Sequence, residues 1–188
     1  MNAECIAVII LAAGQSTRFG TVKMNHPLGK SNTILSACVE RYQTIFTSVN
    51  IVVSTQVELD KAVTNNDTQI VISNNSIQGM SQSLIAGVQS QSTAHAWLIA
   101  LGDMPYVQTK TIEKLAAKAT TENIVVPVFD SKRGNPVIFG RRFYNDLMAL
   151  NGDVGAKELI KSNLGSVCEV AVTDNGVLLD IDRIEDIQ

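Results

Sequence analysis

Histidine occurs only twice in this chain, at His26 and His95, and neither has a partner at any metal-ligand spacing. Both read as structural or surface residues, and no nucleophile triad is evident. Cysteine is almost as scarce. Cys5, Cys38 and Cys168 stand far apart, form no close-spaced metal motif and leave an odd count, so they read as reduced thiols, each a small core residue. The single tryptophan, Trp97, lies inside an apolar run and reads as core rather than as a stacking platform. No apolar run reaches the ~20 residues that span a bilayer. The N-terminus has neither a basic start nor a cleavage region, so a cytoplasmic protein without membrane contact is expected. The net charge of −3 offers nucleic acid no global attraction, so any anion site must be local. There is no internal repeat, linker or low-complexity tract, and residues 1–188 are expected to form one domain.

What the chain does have is a run of strand and helix patterns. Ile6–Leu11 is apolar throughout, as expected of a central parallel strand covered on both faces. Val49–Val53, Ile70–Ile72 and Ala96–Leu101 predict further strands. Between them, Leu35, Cys38, Val39 and Tyr42 recur at helical spacing, as do Leu84, Ile85 and Val88 behind Ser81 as N-cap. Ile112, Leu115, Ala116 and Ala119 mark a third helix. This alternation argues for a parallel sheet with right-handed crossovers. From Ile124 the rhythm changes. Ile124–Phe129 and Pro136–Phe139 flank a short polar segment and predict a hairpin or near-hairpin. Helices follow at about 142–150 and after Asp153, then late strands at Val167–Val172 and Val177–Ile181 on a sheet edge. The reading is α/β: a single Rossmann-like three-layer domain with a mostly parallel mixed sheet.

The first strand feeds directly into Ala12-Ala13-Gly14-Gln15-Ser16-Thr17-Arg18-Phe19-Gly20, with Lys23 three residues on. Such a loop places backbone N–H groups and positive charge at the carboxyl edge of a sheet, where phosphates are commonly held. It is not a P-loop, because five residues separate its glycines and Lys23 precedes Met24. Nor is it a dinucleotide fingerprint, since Gln15-Ser16 follow Gly14 and the second strand ends in Ser54 without a ribose-binding acid. The absent acid also argues against an NAD(P)-dependent oxidoreductase.

The pattern Leu11-Ala12-Ala13-Gly14-x-Ser16-x-Arg18-Phe19-Gly20-x-x-Lys23 resembles the opening signature of the MobA-like nucleotidyltransferases, and within them the molybdenum cofactor cytidylyltransferases. Five more motifs follow in the same order: Gly79-Met80-Ser81-x-Ser83-Leu84, Leu101-Gly102-Asp103-Met104-Pro105, Gly134-Asn135-Pro136-Val137, Gly152-Asp153-x-Gly155-Ala156 and Asp180-Ile181-Asp182. The resemblance implies a nucleotide-diphospho-sugar-transferase type of fold. It implies transfer of CMP from CTP to the phosphate of a molybdopterin-type cofactor, with Mg2+ and release of pyrophosphate. A molybdoenzyme receiving the product is a further implied partner. Transfer of GMP or another nucleotide to a different phosphorylated acceptor, and a non-catalytic cofactor chaperone, stay open as alternatives.

Residue by residue, Leu11, Ala12, Ala13, Gly14, Ser16 and Gly20 would shape the nucleotide site, with Arg18 and Lys23 neutralising the β- and γ-phosphates. Gly79, Ser81, Ser83 and Asn74 would border the base and ribose. Guanylyl-transferring relatives tend to carry glycine where Ala13 stands, which favours CTP. Asp103, at a strand end before Met104-Pro105, suits a hard cation that takes one or two carboxylates plus phosphate oxygens. One candidate for the second metal ligand is Asp182, placed with Asp180 on one face of the last strand by alternation. Asp153 is the other candidate, or else only a helix cap. The family usually continues the last motif with threonine and proline, where this chain has Arg183-Ile184. Lys132, Arg133 and Asn135 would receive an anionic acceptor.

Overall fold

The computed structural model describes residues 5–14, 23–29, 32–54, 63, 67–73, 79–152 and 156–187. At its centre is β1 (Ile6–Leu11), flanked in parallel by β4 (Val49–Val53) and β6 (Ala96–Leu101). Beyond β4 lies β5 (Thr68–Ile72), also parallel. On the other side β9 (Val137–Gly140) runs antiparallel to β6, and β7 (Ile124–Phe129) antiparallel to β9. At that edge β10 (Val167–Ala171) lies parallel to β7. A two-residue strand, β8 (Lys132–Arg133), folds back on β7. A small ribbon, β2 (Pro27–Leu28) with β3 (Asn32–Thr33), stands apart. The mixed, mostly parallel sheet matches the sequence reading, including the near-hairpin of β7 and β9.

Strand alternation divides the core between the two faces. Val8 and Ile10 of β1 and Leu98 of β6 face α1 (Ile34–Gln43) and α3 (Thr109–Ala116), whose Leu35, Cys38, Tyr42, Ile112 and Leu115 are fully buried there. Ile9 and Leu11 of β1 and Trp97 of β6 face α2 (Met80–Ser90), α4 (Tyr144–Met148) and α5 (Lys157–Ser162) through Leu84, Val88, Leu147 and Leu159. Helix, sheet and helix form three layers. Trp97 is core, as expected, with its indole N–H donating to the Gln91 carbonyl (3.0 Å).

Several expectations are corrected. The β6–α3–β7 connection crosses the sheet in the opposite direction from β1–α1–β4 yet covers the same face, so the two differ in hand. The antiparallel β9 between β6 and β7 separates this link from a simple βαβ unit. Ser81 is not the N-cap of α2. Gly79 is, in a conformation (φ 120°) that favours glycine, and Ser81 is buried in the first turn. The segment from Val177 to Ile181 is not a strand. A short 3-10 turn spans Asn175–Leu178, fastened by the buried Asp174, which accepts from the N–H of Gly176 (2.9 Å) and Gln108 (2.8 Å) and from the Thr111 hydroxyl (2.7 Å). Three donors on one buried carboxylate hold this segment in a turn, and β10 pairs only with β7. Of the cysteines, Cys38 is fully buried, whereas Cys5 and Cys168 are half-buried.

Candidate active site

From β1 the chain runs outward through β4 to β5, then returns to place β6 on the opposite side of β1. Connections leaving β1 and β6 therefore diverge at their carboxyl ends, the position where α/β sheets bind ligands. After β1, Ala12 and Ala13 are buried and the Ala12 N–H donates to the Val52 carbonyl (2.8 Å). Gly14 is exposed, with no atom within 4 Å of where a Cβ would stand. After β6, the Gly102 N–H donates to the Leu11 carbonyl (2.9 Å) and ties the two turns together. Asp103 is the next residue.

Lys23 opens a 3-10 turn, Lys23–Asn25, seated by the buried Met24. Its ammonium donates to Oδ2 of Asp103 (2.8 Å) and to Oδ1 of Asp182 (3.2 Å). Burial draws the Lys23 pKa down, but the hydrogen bonds and charges of Asp103 and then Asp182 outweigh it, and the net direction is up. Oδ1 of Asp103 is buried and meets no hydrogen-bond partner among the described residues.

Asp182 arrives by a route different from strand alternation. Ile181 is fully buried against Ile34, and its N–H donates to the Asp103 carbonyl (2.9 Å). Docking of one main chain on the other delivers the next side chain to the same ammonium. Asp186 then holds the turn, its Oδ2 accepting from the N–H of Asp182 (2.9 Å) and Arg183 (2.7 Å). Asp186 and Asp174 were missed in the sequence. The only local signal for Asp186 is an acid within capping distance of a turn.

The donor set fits a hard divalent cation. Two carboxylates converge on a point now filled by a cationic nitrogen, and one of their buried oxygens has lone pairs to spare. Among the described residues no cluster of three or more protein ligands occurs.

Other predicted residues divide between inside and outside the description. Ser16, Arg18, Gly20, Asn74 and the alternative ligand Asp153 lie outside the described residues. Ser81 and Ser83 are buried in the first turn of α2, and the Ser81 hydroxyl has no partner among the described residues. Arg133 pairs with Glu169 (Nε to Oε1, 2.7 Å), and the Asn135 N–H donates to the Val177 carbonyl (2.9 Å). A Cβ at Gly134 would fall onto that same carbonyl, so this turn needs glycine. Arg133 and Asn135 line a cavity of about 420 Å3 together with Leu11 and Leu101, the last residues of β1 and β6. Lys132, exposed on β8, is not in its wall. A second cavity of about 310 Å3, walled by Cys5, Asn50, Gln91 and His95, lies at the opposite end of β1 and shares no residue with this site.

A three-layer α/β domain with acids and a lysine gathered at its switch point is the architecture of a phosphate-ligand enzyme. Residues 8–167 match the MobA-like NTP transferase domain, and the chain belongs to that family. It is similar to Rv0371c of Mycobacterium tuberculosis, at 28% identity and a TM-score of 0.86, covering 99% of this chain and 96% of that one. A manganese complex of Rv0371c aligns at 26% identity and a TM-score of 0.81, covering 96% and 95%. The bifunctional protein GlmU of Buchnera aphidicola is 26% identical over 144 residues, 75% of this chain and 32% of that protein. The chain thus spans about a third of the length of that relative.

Proposed function

We propose that this protein is a divalent-metal-dependent nucleotidyltransferase that moves CMP from CTP to the phosphate of a molybdopterin-type cofactor and releases pyrophosphate. The observation that carries this reading is the meeting of Lys23, Asp103 and Asp182 at the carboxyl ends of β1 and β6. Membership of the MobA-like family supports the reaction class. The likeness to a protein crystallised with manganese supports a divalent cation.

An acceptor phosphate is already ionised at neutral pH, so its in-line attack on the α-phosphorus asks for positioning and charge neutralisation rather than for a base. Backbone amides from Ala13 to Ser16 hold the triphosphate, and Arg18 and Lys23 neutralise the charge that builds on the departing pyrophosphate. Asp103 and Asp182 would hold Mg2+; the chemistry it supplies when bound is neutralisation of phosphate charge and polarisation of the α-phosphorus. Lys23 must then exchange its carboxylate partners for phosphate oxygens. Arg133 and Asn135 face the acceptor. Buried Ala13 narrows the base site in favour of a pyrimidine. No helix among the described residues is long and apolar enough to cross a membrane.

The decisive experiment presents four NTPs, each with Mg2+ and purified molybdenum cofactor, and scores pyrophosphate release. Release with CTP supports the proposal. Release with GTP alone would make the chain a guanylyltransferase, and cofactor binding without release would make it a chaperone.

A further inference from the structure

The 420 Å3 cavity beside the carboxylate cluster has a composition that neither the phosphate chemistry nor the nucleotide requires. Its floor is the α5-covered face of the sheet, contributed by Ile99, Val126 and Phe139, with Leu84 of α2 and Ile160 of α5 as walls. Its size falls within the ~300–1,000 Å3 of small-molecule sites. Cations stand around this apolar interior, namely Arg133 from β8 and Lys157 and Lys161 from α5. Such a concentration of positive charge is local, since the chain as a whole carries −3. Arg133 and Lys161 are each held by one carboxylate, Glu169 and Glu158, both at 2.7 Å. No ion pair engages Lys157 among the described residues, and it is exposed.

We infer that this cavity is the acceptor subsite, and that it selects an acceptor with an apolar ring system and an anionic group beyond the reacting phosphate, gripped by Lys157 and Lys161. The inference rests on the nucleotidyl transfer proposed above. Leu11 and Leu101 in the wall place the cavity next to the turn that carries Asp103, so a molecule seated there can present one end to the reacting centre. A polyol acceptor fits poorly, because among the described residues Asn135 is the only uncharged polar side chain in the wall, so most hydroxyls would meet no partner there. A ring replaces them with contacts to Ile99, Phe139 and Ile160. A second anionic group would find Lys157 exposed and in no ion pair among the described residues, and Lys161 held by an exposed Glu158.

The test uses 1-naphthyl phosphate and glycerol 3-phosphate as probes, titrated calorimetrically into the intact protein with saturating CTP present. The expected result is that the naphthyl ester binds at least about tenfold more tightly than the glycerol ester. A ring-sulfonated naphthyl phosphate, which adds the second anion, should bind the Lys157→Ala/Lys161→Ala double variant at least about fivefold more weakly than the parent, with CTP affinity and Tm unchanged. Ile160→Asp should abolish the preference for the ring. Equal binding of the two probes, displacement of the naphthyl ester by CTP, or indifference to the lysine pair would overturn the inference. Should Ile160→Asp fail to fold, the exposed lysine pair decides alone. A chain that passes these tests but releases no pyrophosphate in the NTP screen keeps the pocket and loses the reaction, and the reverse outcome loses only the pocket.

Discussion

Nζ of Lys23 lies 2.8 Å from Oδ2 of Asp103, although the two residues are 80 positions apart in the chain. The pair joins the loop after β1 to the loop after β6, and the Lys23 and Asp103 side chains are only 10% and 20% exposed. A contact this protected is worth more than a surface ion pair, because water screens it less. It also means that the acid proposed to bind a metal and the lysine proposed to bind phosphate satisfy each other until substrate arrives.

Replacing Asp103 with asparagine keeps the size and a hydrogen-bond acceptor for Lys23 but removes the charge. Nucleotidyl transfer should fall by at least ~10²-fold, the scale seen when one preorganised electrostatic group is lost. Stability should drop by only about 1–3 kcal/mol, since Asp182 still faces the ammonium at 3.2 Å. Pyrophosphate release and thermal unfolding on the same preparation check both parts, and near-normal turnover would remove Asp103 from the reaction.

Lys23→Met tests the exchange directly. Removing the ammonium removes one competitor for the Asp103 and Asp182 carboxylates, so Mn2+ should bind the nucleotide-free protein roughly tenfold more tightly, the equivalent of one competing contact of about 1.4 kcal/mol. Turnover should fall at the same time. Paramagnetic titration of Mn2+ gives the first quantity independently of activity, and weaker binding in the variant would show that Lys23 organises the acids rather than competing for them.

Much of this arrangement was legible before folding. The apolar runs that became β1 and β6, and the run of β4 broken only by Asn50, read as strands covered on both faces, with the polar loop following the carboxyl end of the first. Asp103 was legible for the same reason. The approach of Asp182 was not, because it depends on a backbone hydrogen bond from Ile181 to Asp103 that no local period encodes. Val177 and Ile181 have the spacing of a strand face, yet each is buried separately, one against the main core and the other against Ile34. The hand of the β6–β7 connection was hidden as well, since it depends on α3 packing on the same face as α1, which no local pattern encodes.

Ala13 is 7% exposed, and in the proposed reaction its methyl group would border the base. Ala13→Gly should lower the CTP:GTP ratio of kcat/KM by roughly tenfold, within the 1–3 kcal/mol that one methylene-sized difference supplies. Steady-state kinetics with both nucleotides measures this. An unchanged ratio would place base selection elsewhere.

Alkali should destabilise the fold through the α1 face of the core. Burial, then the charge of Asp103, pushes the Cys38 thiol well above its ordinary 9.0, against a smaller opposing effect of Arg41. Burial, then Cys38 and Asp174, does the same to the Tyr42 hydroxyl above 10.0. The folded state keeps protons that the unfolded chain has released, so stability falls as pH rises past the unfolded values, by up to about 1.4 kcal/mol per pH unit for each group. Urea unfolding across the alkaline range should show a decline beginning near pH 9.0 and steepening near 10.0. Cys38→Ala should flatten its first part. In native protein Cys38 should resist thiol reagents that modify the half-buried Cys5 and Cys168.

Asp186 touches neither metal nor nucleotide in the proposed reaction, yet two backbone donors, from Asp182 and Arg183, converge on its Oδ2. It is an exposed residue whose work is to fix the turn that presents Asp182. Asp186→Ala releases that cap at a cost of about 1 kcal/mol, small against the stability of a domain this size. The cost should appear where the turn matters. The Mg2+ concentration giving half-maximal turnover should rise at least about threefold, since a loosened ligand pays ordering entropy on binding, while kcat at saturating Mg2+ stays close to that of the parent. Asp186→Asn, which still accepts from both N–H groups, should recover most of the loss. Metal titrations of the two variants separate positioning from direct participation, because a residue that touched the reacting atoms would lower kcat at every metal concentration and would not be rescued by the amide.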